Sequence, residues 1–170
     1  MDSESKHIGR EYCIEGVISC YQIILRMMVH RLSRRQIPSV MELARSTLTE
    51  IYSPSTFIAI QEQCPEGCLV AAEGENVIGF IMGMETKPGK GKILMLAVRP
   101  EFRRQGIGSM LLKSLLRQFT VRGIFSITLE TRANNTAAMA FYRAHGFEVK
   151  KIVPKFYTDD TDAYEMCKSV

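Results

Sequence analysis

No apolar stretch in the chain is long enough to cross a bilayer. Val17 to Leu25 falls short of the roughly 20 residues a spanning helix requires, so a membrane span is not expected. Internal repeats, low-complexity tracts and Pro/Gly/Ser-rich linkers are absent too, which sets aside solenoids and fibrous chains. One domain suits a length of 170 residues. Strong charge of one sign is also missing. A net charge of +4 suits an anionic ligand but is too small and scattered to indicate nucleic acid. A secretory leader is not evident and the five cysteines are odd in number, so reduced thiols and a cytoplasmic setting are expected. Cys64 and Cys68 could be joined by Cys13 and Cys20 around zinc, but the spacings are irregular, and small apolar side chains are the simpler reading. No metal is expected.

The two best-known nucleotide loops are missing as well. A P-loop needs Gly-Lys-Ser/Thr, and a dinucleotide fingerprint needs a third glycine where Leu111 stands. What is present is RRQGIGS at Arg103 to Ser109, between an apolar run, Ile93 to Val98, and an amphipathic one. Leu111, Leu112, Leu115, Leu116 and Phe119 lie on one helical stripe, so the stretch is a strand-to-helix turn. Gly106 and Gly108 let backbone approach a ligand, and the helix start offers unpaired N–H groups. Arg103 and Arg104 add fixed positive charge. The turn therefore reads either as a phosphate cradle suited to a pyrophosphate or as a tight turn with a solvated arginine pair.

The remaining pattern gives the order β α α β β β α β α β β. A first strand is expected at Ile23 to Leu32, after an N-terminal extension of unassigned role over residues 1–22. A helix follows over Ile37, Val40, Met41, Ala44 and Leu48. Ser53-Pro54 caps a second helix, which leads into Phe57 to Gln63. Leu69 to Ala72 and Val77 to Met84 form a hairpin around Glu73-Gly74-Glu75-Asn76, and Lys87 to Lys92 is read as a loop. Ile124 to Glu130 alternates, with Phe125, Ile127 and Leu129 on one face, and Glu130 ends the strand on the other. A helix from about Asn135 to His145 is closed by Gly146. Phe147 to Val153 and Ala163 to Cys167 are the last strands, separated by the loop Pro154 to Thr161.

Three segments together resemble the GNAT superfamily of acyl-CoA-dependent N-acetyltransferases, and within it the RimI and arrest-defective-type protein N-terminal acetyltransferases. They are LAVRPEFRRQGIGSMLL at Leu96 to Leu112, LETRANNTAAMAFYRAHGF at Leu129 to Phe147, and PKFYTDDTDAYEM at Pro154 to Met166. The combination of RxxGxG with NxxAxxxY, here Asn135, Ala138 and Tyr142, carries the specificity. The resemblance implies an α/β (α+β) GNAT fold over residues 23–170, a mixed six- to seven-stranded sheet flanked by about four helices. It implies an acetyl-CoA site, with coenzyme A as product. In it Leu96, Ala97 and Val98 pair by backbone with the pantetheine arm; Arg103, Arg104, Gln105, Gly106, Ile107, Gly108 and Ser109 hold the pyrophosphate; and Asn135 reaches the pantetheine end. Leu96 to Val98 also read as plain core strand, and Asn135 as the cap of its own helix.

Acetyl transfer to an amine needs a neutral nucleophile, a stabilised oxyanion and a protonated leaving thiol. An α-amino group, with a pKa of about 7.7–8.0, is far easier to use than a lysine at about 10.4. Glu130 is the candidate general base, or else a salt-bridged strand residue. Tyr142, two helical turns after Asn135, is the candidate proton donor, or else a half-buried helix tyrosine. A backbone N–H near Val98 is the expected oxyanion donor. No cysteine lies in the matching segments, so direct attack in a ternary complex is expected.

On the substrate side, LTEIY at Leu48 to Tyr52 stands where arrest-defective members have LPENY. That places Glu50 and Tyr52 at the mouth, with Tyr157 opposite. Thr49 and Ile51 depart from that pattern, and Lys92 stands where a histidine is often found, which shifts weight onto Glu130 and Glu50 as bases. The implied activity is N-α-acetylation of ribosomal or nascent-chain N-termini, with an auxiliary subunit or a homodimer left open. A lysine or small-amine acetyltransferase and a non-catalytic acyl-CoA-binding subunit are the alternatives.

Overall fold

A computed structural model describes residues 28–170. The expected extension over 1–22, the start of the expected first strand, and Cys13 and Cys20 lie outside the described residues. The described chain follows the expected element order and builds one seven-stranded sheet, ordered β1-β2-β3-β4-β5-β7-β6. Its strands are β1 (Met28–Arg31), β2 (Cys68–Glu73), β3 (Asn76–Lys87), β4 (Lys90–Val98), β5 (Ser126–Arg132), β6 (Glu148–Val153) and β7 (Ala163–Ser169). Neighbours pair antiparallel except β4 and β5, which run parallel. A parallel pair needs a crossover, and the long helix supplies it.

Four α-helices cover the sheet: α1 (Ile37–Thr47), α2 (Pro54–Gln63), α3 (Ile107–Val121) and α4 (Thr136–Ala144). The first two pack on one face through Val40, Leu43 and Phe57 against Val70, Phe80 and Met82. The other two pack on the opposite face through Leu111, Leu115, Phe119 and Tyr142 against Ile81, Ile127 and Leu129. Covering both faces explains why β2 and β3 read as nearly continuous apolar runs. Each large side chain buried in these two cores contributes about 1.5–3 kcal/mol. The cap of α2 forms as its sequence implies, with the Ser53 hydroxyl accepting from the Thr56 N–H at 3.3 Å.

Three local expectations are corrected. Lys87 to Lys92 is not a loop, because β3 and β4 continue to a tight turn at Pro88-Gly89. Gly91 is a strand residue whose missing Cβ makes room for Phe119: a Cβ there would lie 2.8 Å from the ring. Phe125 precedes β5 and is 53% exposed; Ile124 takes its place in the core. Glu130 does not end β5, which runs two residues further to Arg132.

Candidate active site

The site begins with a fault in β4. Ile93 pairs with Gly83 and Met95 with Met82, so Leu94 is an extra residue, a β-bulge. Bulges bend a strand and end pairing. The β4–β5 ladder stops at the same point, with Ile93 opposite Leu129 as its last pair, while both strands continue. From Leu94 to Val98 the strand therefore has an edge without β5 on it. Backbone amides on such an edge require partners, and an extended chain bearing amides can supply them.

A cleft of about 570 Å³ opens along this edge. One wall is Leu96 to Val98, the other is Asn135, Ala138, Phe141 and Tyr142 of α4, and its far end is the turn before α3. That turn contains two left-handed residues, Arg104 (φ 64°) and Gly106 (φ 83°), and α3 starts with no side-chain cap and no acidic residue in its first turn. Its first N–H groups are thus available to an anion. Arg103 is anchored beside them by its Nε, which donates to the Val98 carbonyl at 3.1 Å. A free strand edge, a cationic cradle and an apolar wall fit the pantetheine and pyrophosphate of an acyl-CoA.

The expected cofactor residues line this cleft with one exception. Gln105 does not; its amide donates to the Glu101 carbonyl at 3.3 Å. Ile107 and Ala97 are buried in the two cores, so they offer backbone rather than side chain. Asn135 caps its own helix, its Oδ1 accepting from the Ala138 N–H at 3.0 Å, and it also borders the cleft. Gly106→Ala is expected to lower stability by about 1–2 kcal/mol, because a Cβ is strained at this φ. Coenzyme A affinity, measured by calorimetry, should fall with it; unchanged affinity would show that the cradle does not depend on this backbone shape.

A second, narrower cavity of about 180 Å³ adjoins the first. Glu50, Tyr52, Glu130, Arg132 and Tyr157 line it, and the two cavities share Thr47, Leu48, Leu96, Asn135, Ala138 and Tyr142. Tyr142 therefore stands where they meet. Burial pushes its phenol well above the ordinary value, with Tyr157 adding to the effect, so it keeps its proton. Burial also raises Tyr157, to about 12 against the opposing pull of Arg132, and raises Tyr52 with help from Glu50 and Glu130. Glu130 reaches the cavity from β5, its side chain 12% exposed and its Oε1 2.8 Å from Lys92 Nζ.

Arg132 is the residue that sequence reasoning missed. Its guanidinium pairs with Glu50, donates to Thr49 Oγ1 at 2.7 Å, and makes a forked contact with both Asp159 oxygens at 2.8 and 3.0 Å. It also lies over the Tyr157 ring, 4.1 Å from the centroid. One side chain at the end of β5 thus joins the loop after α1 to the β6–β7 loop, the two expected lips of the mouth. Thr158 completes the tie by donating to the other Glu50 oxygen at 3.2 Å. Both carboxylate oxygens of Glu50 are thus engaged in the tie between the two loops.

Asp159 is held down to about 2, first by hydrogen bonds from Thr161 and then by Arg132. An ordinary aspartate titrates at about 3.9, so this depressed value makes the tie fully present above about pH 4 and lost as pH falls through about 2. The NMR signal of the Asp159 carboxyl carbon should stay constant from neutral pH to about 3 and then move with its midpoint near 2. Movement at higher pH would contradict this assignment.

None of the described cysteines lines either cavity. Cys64 and Cys68 are buried, and burial pushes the Cys68 thiol up to about 12. Among the described residues no group of three or more His, Cys, Asp or Glu is placed to hold a metal.

Comparison with known proteins agrees with this geometry. Residues 37–147 match the model of the Acetyltransferase (GNAT) family. N-alpha-acetyltransferase 30 of Schizosaccharomyces pombe is 33% identical, over 78% of this chain and 91% of that protein. The crystal structure of Ard1 from Thermoplasma volcanium superposes with a TM-score of 0.83 at 32% identity, over 85% of this chain and 98% of that one. A chain from the NatC complex bound to Gag peptide and CoA gives 0.80 at 25% identity, over 85% and 99%. The chain belongs to the acetyltransferase (GNAT) family.

Proposed function

We propose that this protein transfers the acetyl group of acetyl-CoA to the free α-amino group of a protein or peptide N-terminus, by direct attack in a ternary complex. The observation that carries this reading is the meeting of two cavities at Tyr142: a long one with a free strand edge and an anion cradle, and a narrow one ringed by Glu50, Tyr52 and Tyr157. Residues 23–170 form the acetyltransferase domain in this reading. The two relatives and the chain from a complex bound to peptide and CoA, described above, support it.

When bound, acetyl-CoA supplies an activated acetyl thioester. Leu96 to Val98 orient its arm through their backbone, and Arg103, Arg104 and the first N–H groups of α3 hold its phosphates. Glu50, fixed by Arg132, and Tyr52 and Tyr157 position the substrate's first residue. Glu130 accepts the proton from the attacking nitrogen. Tyr142, kept protonated by burial, holds the proton destined for the leaving sulfur. None of the described cysteines lines either cavity, which favours direct transfer over a cysteine intermediate. Ribosomal or nascent chains as substrate, a RimI-like role and a cytoplasmic place of action accompany this reading. Among the described residues no helix is long and apolar enough to cross a membrane.

The test is incubation with acetyl-CoA and short peptides varied at their first two positions, some N-terminally blocked and carrying lysine, with mass spectrometry to locate the acetyl group. Acetylation of free α-amines is expected. Acetylation of lysine alone, or coenzyme A binding without transfer, would replace this reading by one of its alternatives.

A further inference from the structure

Glu130 carries a counter-ion that the transfer chemistry does not require. Lys92 of β4 sets its ammonium 2.8 Å from Glu130 Oε1, across the last part of the β4–β5 ladder. The carboxylate is largely buried and the lysine is about one-third exposed, at 31%. The base thus meets an incoming amine as half of a neutral pair.

The other charges around Glu130 are matched among themselves. Arg132, two residues along β5, is taken by Glu50 and Asp159. Glu165 faces Glu130 across the β5–β7 ladder and is held by Lys150 and Lys151 at 3.4 Å each. Tyr52, Tyr142 and Tyr157 are all pushed towards the neutral phenol by burial. One arginine stands against two carboxylates on one side, and one carboxylate against two lysines on the other. Lys92 is the cation paired with Glu130 itself.

That difference matters for which amines bind. Near pH 7 on the order of one α-amino group in ten is neutral, against fewer than roughly one lysine side chain in a thousand. An unpaired carboxylate would attract the ammonium form, which has no lone pair to attack with. A carboxylate already paired gives that form no advantage.

We propose that Lys92 keeps the site from favouring the protonated form of an incoming amine, by neutralising Glu130 and so withholding an anionic binding point from ammonium ions. This rests on the N-α-acetyltransferase reading. It gives the lysine of this chain a consequence: a fixed cation at the candidate base.

The test uses n-butylammonium as a stand-in for a lysine side chain, titrated by calorimetry into the coenzyme A-loaded protein, so that binding is read without turnover. In Lys92→Met the probe should bind at least about tenfold tighter than in the parent, as expected when a partly buried carboxylate loses its partner. Lys92→Gln should behave like Lys92→Met, and Lys92→Arg should keep the parent value. The gain should vanish when Glu130→Gln is added, which a general loosening of the strand would not produce. Equal probe affinity in the parent and in both uncharged variants, with thermal melts showing them folded, overturns the proposal. Absence of α-acetylation by the parent would instead count against the proposed function, and that is measured separately.

Discussion

Glu130→Gln and Tyr142→Phe should each lower kcat by roughly 10²–10⁴-fold while coenzyme A affinity stays nearly unchanged, as expected when a positioned proton acceptor or donor is removed. Both substitutions are nearly isosteric. Glutamine keeps the shape of the Glu130 side chain but cannot take a proton at neutral pH, and Lys92, partly exposed, can turn to water once its partner is gone. Phenylalanine keeps the edge-on ring contacts of Tyr142 with Phe141 at 5.1 Å and Phe147 at 5.6 Å, so the packing of α4 survives. Neither residue belongs to the phosphate cradle, which is why binding and turnover should separate. Calorimetry with coenzyme A beside a timed peptide assay measures both. Full turnover in either variant would remove that residue from the catalytic role.

Arg132→Met should act on the substrate side. The guanidinium is 12% exposed and Glu50 is 18% exposed, so the substitution strands a partly buried carboxylate. Breaking a fully buried pair costs about 3–5 kcal/mol and an exposed one less than about 1, so a loss of about 2 kcal/mol is expected here. The loop after α1 and the β6–β7 loop then lose their common anchor. KM for peptide should rise by about tenfold or more, with a smaller change in kcat and none in coenzyme A affinity, because positioning residues act through orientation. Arg132→Lys should not rescue it, since an ammonium cannot serve Thr49, Glu50, both Asp159 oxygens and the Tyr157 face at once. Steady-state kinetics with a fixed acetyl-CoA concentration reads this directly. An unchanged KM would mean that the two loops hold peptide without the tie.

Much of this was legible from short-range patterns. The stripe from Leu111 to Phe119, the serine cap before α2 and the turn at Gly74 are local signals, and each sits where the pattern places it. The long cleft is legible for the same reason: the turn before α3 and the strand before it are contiguous in sequence, and NxxAxxxY brings Asn135, at the cap of α4, and Tyr142, within it, to the same cleft. The substrate side is assembled from segments far apart. Arg132 meets Thr49 across 83 residues and Asp159 across 27, and nothing in the run TRANN announces a tie between two loops. The bulge at Leu94 is invisible for a different reason: ILMLAV is uniformly apolar, and with both faces of the sheet covered, alternation carries no record of a shifted register. Gly91 misleads because a glycine beside Pro88 and Gly89 reads as loop, whereas its absent side chain makes way for Phe119.

The most direct test of the central claim, that an acetyl donor in the long cleft and an α-amine in the narrow cavity meet at Tyr142, is the affinity of a conjugate in which coenzyme A is joined through an acetyl group to a peptide's α-nitrogen. The account predicts that it binds at least about a hundredfold tighter than coenzyme A or peptide alone, because one molecule fills both cavities. It also predicts that the same conjugate made through a lysine ε-nitrogen gains much less. An α-linked conjugate that binds no better than coenzyme A would contradict the account.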